Sequence, residues 1–212
     1  MKLYTFTGAP SPRRVTLYLA EKGMEVEQVE INIRAGEHLN DDFAAISPYC
    51  TVPVLELNDG TCLWESVAIC RYLEEVRPEP QLMGKTPSER GLVTNWDHWA
   101  EVNGLLAVAD GFRNRTPRMT DHALPGRRPV AQIEDLAERG RQCYGWFLED
   151  LNKRLGRSDH VAGADFSVAD ITTLVTIDFA RWALKIDPPA GLEHIGRWYA
   201  QVNKRPAVES SP

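Results

Sequence analysis

Cysteine is scarce and scattered in this chain, with four residues at positions 50, 62, 70 and 143 out of 212. No Cys-x-x-Cys pair occurs and no histidine stands where it would complete a zinc site, which excludes a thiolate metal centre and a disulfide-stapled scaffold. The thiols read as reduced, mostly buried packing residues of a cytoplasmic protein, and no metal is expected. Positive charge is also short: 24 Lys and Arg stand against 30 Asp and Glu, a formal net charge of -6, so there is no electrostatic footprint for nucleic acid or an anionic membrane. Long apolar runs are missing, the longest being the five residues from Leu105 to Ala109, far below the ~20 that span a bilayer. The opening Met1-Lys2-Leu3-Tyr4-Thr5-Phe6 is too short and too polar for a signal peptide. No internal repeat, low-complexity tract or Gly-x-Ser-x-Gly elbow is found, which argues against a solenoid, a disordered tail and an ordinary serine hydrolase. A small soluble ligand is the remaining class of partner.

The chain has an ordinary globular composition, 43% hydrophobic and 25% charged, in a length that suits one large domain or two small ones. Strand and helix signals alternate up to about residue 80, and beyond it only helix signals occur. Lys2 to Thr7 has strand character, Gly8-Ala9-Pro10 turns the chain, and Ser11-Pro12 reads as an N-cap followed by the residue best suited to a first helical position. Gly23 stands where that helix ends. Val29, Ile31 and Ile33 alternate with polar residues as a half-buried strand, and Glu37 to Ala45 suits a short helix. Val52 to Leu57 and Thr61 to Trp64 form a hairpin across Asn58-Asp59-Gly60, and Ser66 caps a helix through Val76. The order β-α-β-α-β-β-α, with a proline at the start of its third strand, is a thioredoxin-like arrangement.

Arg77-Pro78-Glu79-Pro80 ends this part, placing one domain at 1–80, a linker at 81–87 and an all-helical C-terminal domain at 88–212. Thr86-Pro87-Ser88-Glu89 is a capping box that opens a long helix, in which Leu92, Trp96, Trp99, Val102, Leu106 and Ala109 recur at helical spacing. Residues 115–129 read as a loop, and Val130 to Leu155 as a second long helix with Ile133 on its apolar face. Phe166-Ser167-Val168-Ala169-Asp170-Ile171 is a strong helix start, opening a nearly all-apolar helix expected at the centre of the domain. Leu192 to Asn203 is the last helix expected, closed by Arg205-Pro206.

Redox proteins of the thioredoxin-like kind carry cysteine at the first helix N-terminus. Here that stretch is Ala9-Pro10-Ser11-Pro12-Arg13-Arg14, so the protein's own side chains cannot exchange disulfides and any reactive thiol must arrive with a ligand. A helix N-terminus bearing a hydroxyl suits an anion, although Ser11 also reads as a simple cap.

Several separated pieces resemble the cytosolic glutathione S-transferases of bacterial type over the whole chain: Arg14-Val15 with Leu19-Ala20-Glu21-Lys22-Gly23, Val52-Pro53-Val54-Leu55, Trp64-Glu65-Ser66 with Ala68-Ile69 and Tyr72-Leu73, and Phe166-Ser167-Val168-Ala169-Asp170. The resemblance implies glutathione as co-substrate and a small hydrophobic electrophile as its acceptor, with a homodimeric assembly. It implies a cis bond between Val52 and Pro53, with the Val52 backbone on the cysteinyl part of glutathione and Glu65 and Ser66 on its γ-glutamyl end. Arg34 and Thr51 fall where relatives often hold the glycine end, and Thr51 departs from the pattern by lacking a charge. Serine-type relatives place their hydroxyl where this chain has Ala9, so Ser11 is the candidate for thiol activation, helped by the backbone N–H groups of Arg13 and Arg14. Trp96, Trp99, Phe112 and Arg113 are the candidate lining of the electrophile pocket, and a helical stripe of aromatics also reads as core. The same site would also support glutathione-dependent peroxidase, disulfide reductase or isomerase chemistry, or noncatalytic binding.

Overall fold

The computed structural model describes residues 1–210. They divide into two compact units, Met1–Pro80 with Leu124–Pro129, and Gln81–Ala123 with Val130–Ser210.

The first unit is built on a four-stranded sheet in the order β2-β1-β3-β4, from β1 (Lys2–Thr5), β2 (Glu27–Glu30), β3 (Val54–Glu56) and β4 (Cys62–Leu63). β1 and β2 are parallel, joined by α1 (Pro10–Glu21), while β3 runs antiparallel to both β1 and β4. α2 (Asp41–Ile46) precedes β3 and α3 (Ser66–Val76) comes after β4. Side chains alternate across the sheet. On one face Tyr4, Val29, Val54 and Cys62 pack with Phe43 and Ile46 of α2. The opposite face carries the fully buried Leu3 and Leu55, matched by the buried Val15, Leu17 and Tyr18 of α1 and Ile69 and Leu73 of α3. The buried Lys22 ammonium, paired with Glu74, donates to the carbonyls of Pro78 (3.1 Å) and Pro80, tying the end of α1 to the chain after α3. Its charge tolerates burial because every donor direction has an oxygen to meet.

Three details differ from the sequence expectations. α1 is capped by Ala9 and starts at Pro10, so Ser11 lies inside the first turn, because the proline ring already holds a helical φ. α3 likewise starts at Ser66 with Glu65 as its cap residue. The strand expected to reach Ile33 stops at Glu30, because the Asn32 side chain accepts from Ala35 N (3.1 Å) and Gly36 takes φ 76°, bending Ile33–Ala35 into a 3₁₀ turn.

The second unit comprises α4 (Pro87–Ala100), α5 (Leu106–Arg113), α6 (Glu134–Leu155), α7 (Val168–Leu184), α8 (Glu193–Val202) and a short α9 (Pro206–Glu209) that the sequence reading missed. The capping boxes at Thr86/Glu89 and Ser167/Asp170 both form in full. α7 is the core element, buried without a break from Val168 to Ile177. Where one long helix was expected, a π turn at Glu101–Leu105 separates α4 from α5. A π turn adds a residue per turn and so rotates the faces. Val93, Asp97, Ala100, Gly104, Leu105 and Val108 point inward, while Leu92, Val102 and Leu106 of the expected stripe are exposed. α6 starts four residues later than expected: the Gln132 amide donates to the Arg113 and Thr116 carbonyls, and Asn114 Oδ1 accepts from Ile133 N, leaving Ile133 exposed. No helix among the described residues is long and apolar enough to cross a membrane.

α5 and α6 meet through small residues. A Cβ on Gly140 would stand 2.6 Å from the Ala107 carbonyl oxygen and 2.8 Å from Gly111 N, both backbone atoms that cannot swing aside. Gly140→Ala is therefore expected to lower stability by ~1–3 kcal/mol despite alanine's better helix propensity. Gly145 is on the same helix with nothing within 4 Å of such a Cβ. Gly145→Ala should raise stability by ~0.5–1 kcal/mol, so urea unfolding of the two variants should move the midpoint in opposite directions.

Candidate functional site

The candidate residues of the first unit gather where β1 ends. Past Thr5 the chain turns through Gly8 (φ 88°), with Ala9 N donating to Phe6 O at 3.2 Å, and enters α1. Thr7 is held by Glu30, through its backbone N at 2.8 Å and its hydroxyl at 3.2 Å. Of the first three helical residues, Pro10, Ser11 and Pro12, only Ser11 has a backbone N–H. Arg13 N is committed to the Ala9 carbonyl at 3.2 Å, which removes it from the donors expected to help Ser11. The positive end of α1 is thus presented by one residue, which offers both an N–H and a hydroxyl.

Ser66 brings a second helix start to the same point. It is buried, and its hydroxyl donates to the Ser11 carbonyl at 3.0 Å. The first backbone bond of α3 runs from Ile69 N to Glu65 O (2.9 Å), so the N–H groups of residues 66 to 68 belong to the open first turn. Leu55 pairs with Leu63, and continuing that antiparallel register by two residues sets Pro53 opposite Glu65. Continuing the β1–β3 register likewise sets Phe6 opposite Val52. The Val52–Pro53 bond is cis.

The loop before Pro53 is fixed from within. The buried Ser47 hydroxyl accepts from Thr51 N (3.2 Å) and donates to Thr51 O (3.1 Å), and Cys50 N donates to Ser47 O (2.9 Å) while Cys50 takes φ 54°. Thr51 thereby has its backbone satisfied by Ser47, a role that the sequence reading missed. Arg34, on the Ile33–Ala35 turn, is exposed and holds its guanidinium 5.7 Å from the centroid of Phe6. Ser11, Arg34, Thr51, Val52, Pro53, Glu65 and Ser66 therefore occupy one end of one sheet.

The four residues expected to line an electrophile pocket form two groups in the second unit. Trp96 and Trp99 meet edge to face at 5.2 Å, Trp99 lies 4.9 Å from Phe147, and the Arg154 guanidinium covers Trp96 at 4.7 Å, so both tryptophans are engaged with α6. Phe112 instead joins Phe179 at 5.7 Å and Trp182 at 5.2 Å, a half-exposed aromatic face that the sequence reading did not assemble. Arg113 donates to the His122 carbonyl at 3.1 Å, and desolvation holds its guanidinium below the usual arginine range. A periodicity count cannot join residues of α5 and α7, which meet only in the folded unit.

Comparison with known proteins identifies the family of the chain. Residues 9–76 match the family model for the glutathione S-transferase N-terminal domain. The chain is 35% identical to "Glutathione S-transferase 2" of Saccharomyces cerevisiae over 99% of its own length and 88% of that protein. A solved structure of a glutathione S-transferase domain-containing protein from Marinobacter aquaeolei VT8 superposes with a TM-score of 0.91 at 36% identity, covering 98% of this chain and 100% of the other. A Gtt2-class glutathione S-transferase of Vibrio parahaemolyticus gives 0.85 at 37% identity, covering 99% and 96%. On its thioredoxin-like sheet, its helical second part and a likeness running from end to end, the chain belongs to the glutathione S-transferase family.

Proposed function

We propose that Ser11 stabilises the thiolate of bound glutathione, and that this thiolate attacks an apolar electrophile by addition or displacement. The overall activity is that of the family, transfer of glutathione to an acceptor. The observation that carries the assignment is the 3.0 Å bond from the Ser66 hydroxyl to the Ser11 carbonyl, which locks two helix N-termini onto one spot. Two positive helix ends favour the two negative groups of the ligand, its thiolate and its γ-glutamyl carboxylate. In this assignment the Ser11 hydroxyl donates to the sulfur and the open first turn of α3 receives the carboxylate. Glu65, exposed and at the cap of α3, takes the γ-glutamyl ammonium. Val52 pairs its backbone with the cysteinyl amide, and Pro53 shapes that edge. Arg34 supplies the charge for the glycine carboxylate, and Thr51 holds the loop.

For the acceptor we propose the half-exposed face of Phe112, with Phe179 and Trp182, and the neighbouring Arg113. Trp96 and Trp99 stiffen α4 against α6. The exposed Leu92, Val102 and Leu106 on the helical unit, and Tyr49, Trp64 and Val67 on the α/β unit, are more apolar surface than a monomer needs and fit a homodimer. Four cysteines outside any disulfide fit a reducing, cytoplasmic setting, and residues 1–80 and 88–212 are proposed as the two functional domains.

The test is Glu65→Gln. Losing one charge-assisted contact should raise the KM for glutathione roughly tenfold and leave the KM for an aryl-halide acceptor unchanged. An unchanged glutathione KM would remove Glu65, and with it this end of the sheet, from the ligand.

A further inference from the structure

The segment Leu124-Pro125-Gly126-Arg127-Arg128-Pro129 has an unusual position. Both of its flanks, Ala123 and Val130, belong to the helical unit, yet the segment itself packs with the α/β unit. Arg127 uses the two arms of its guanidinium on separate acceptors. Its Nε donates to the Leu39 carbonyl at 2.8 Å and its Nη2 to Asp41 Oδ1 at 2.6 Å. Leu39 ends the turn before α2 and Asp41 is the first residue of α2. Gly126, at φ 101°, is seated against the other end of the same stretch, where a Cβ would stand 3.0 Å from the Tyr49 carbonyl oxygen. The strap therefore touches the chain both before and after α2.

Tyr49 leads directly into the short, internally bonded loop from Cys50 to Pro53. Ser47 satisfies both backbone groups of Thr51, and β3 begins at Val54, so little slack separates Tyr49 from Val52. A displacement of α2 or of the Tyr49 carbonyl is passed along such a loop rather than absorbed in it. A backbone edge that must pair with a ligand amide tolerates only a few tenths of an ångström before its hydrogen bonds weaken.

We infer that the Leu124–Pro129 strap sets the position of the Thr51–Pro53 loop, and that Arg127 is a positioning residue for glutathione. This rests on the proposed pairing of that loop with glutathione. Arginine suits the task because its planar fork meets a carbonyl and a carboxylate at once, fixing direction as well as distance. The Asp41 side chain is 96% exposed, and an ion pair in water adds little to global stability. The strap's effect should therefore appear in ligand binding and not in the melting temperature.

The experiment is steady-state kinetics of the full chain with glutathione and an aryl-halide acceptor, for Arg127→Ala, Asp41→Ala, the double variant, and Glu65→Gln as reference. Arg127→Ala, which loses both bonds, is expected to raise the KM for glutathione roughly fivefold, Asp41→Ala, which keeps the bond to Leu39, by less, and the double variant no further than Arg127→Ala, because the Asp41 contact is already gone there. The turnover number, the acceptor KM and the melting temperature should hold. A wild-type glutathione KM in Arg127→Ala beside a raised one in Glu65→Gln would overturn the strap's role and leave the site assignment standing. Additive rises, or a fall in turnover at constant KM, would also overturn it. If Glu65→Gln itself has no effect, the site assignment falls and the strap's role with it.

Discussion

Ser11→Ala is expected to cut kcat/KM for an aryl-halide acceptor by roughly five- to sixteen-fold at pH 7 and hardly at all at pH 9, a pH signature set by thiol titration. A free thiol of pKa ~8.5 is only ~3% thiolate at pH 7, whereas one lowered by ~2 units is about three-quarters thiolate. The shift is worth ~2.7 kcal/mol. One hydrogen bond to a charged acceptor supplies ~1.5–3 kcal/mol and a helix N-terminus ~0.3–1. The hydroxyl is therefore the larger of the two contributions, and the α1 dipole remains in the variant. Removing the hydroxyl while the dipole stays raises the bound thiol to ~7.8–8.3, leaving ~5–14% thiolate at pH 7 and most of it thiolate at pH 9. The slightly greater nucleophilicity of a more basic thiolate softens the loss without changing its direction. A deficit of equal size at every pH would show that Ser11 orients glutathione without activating it. No deficit at pH 7 would shift activation to the Ser11 N–H, which alanine retains.

The same turn shows how far the sequence can be read. Pro10, Ser11 and Pro12 mark a helix start without ambiguity, and the Thr86/Glu89 and Ser167/Asp170 boxes fix two more, because each signal is complete within four residues. The cap of α1 is read two residues late, at Ser11 and not Ala9, because proline and serine both suit that junction, and only the backbone decides between them. The bond from Ser66 to Ser11 spans 55 positions and has no local signature. The π turn at Glu101–Leu105 is invisible to periodicity, yet it decides which of Leu92, Val93, Leu105 and Leu106 face the core. Gly104 indicates why the turn is tolerated there, since a Cβ would meet Phe147 and Thr176 at 2.9 Å. The 115–129 stretch reads as a featureless loop, because the partners of Arg127 lie 86 and 88 residues away. Motifs that resemble a family point to the residues proposed for the glutathione end, whereas the supports that hold them in place depend on the folded chain.

Asp170→Ala is expected to cost the protein ~3–5 kcal/mol, the largest stability loss of any substitution considered. The carboxylate is fully buried at the head of the central helix. It accepts from four donors: Val161 N at 2.9 Å and Trp198 Nε1 at 2.8 Å on one oxygen, Ser167 N at 3.0 Å and Ser167 Oγ at 3.1 Å on the other. Burial pushes its proton affinity up, while these N–H donors and the nearby His160 pull it down. Alanine would leave three N–H groups without an acceptor in a space closed to water, each at ~1–3 kcal/mol. Part of that is offset because a buried charge no longer needs to be desolvated. The damage would not stay local, since Asp170 joins the α7 cap to the segment at Val161 and to Trp198 of α8. Asp170→Asn separates acceptor loss from simple cavity formation. Whichever way the amide turns, its NH2 meets an N–H donor, from Ser167 or from Val161 and Trp198, so asparagine should be nearly as destabilising as alanine despite its matching shape. Ser167→Ala removes one hydroxyl and leaves the carboxylate's other partners in place, so its cost should be ~1 kcal/mol. Urea unfolding of the three variants orders them Ala ≈ Asn, well below Ser167→Ala. An asparagine variant close to wild type would mean that the site reads shape and not acceptor charge.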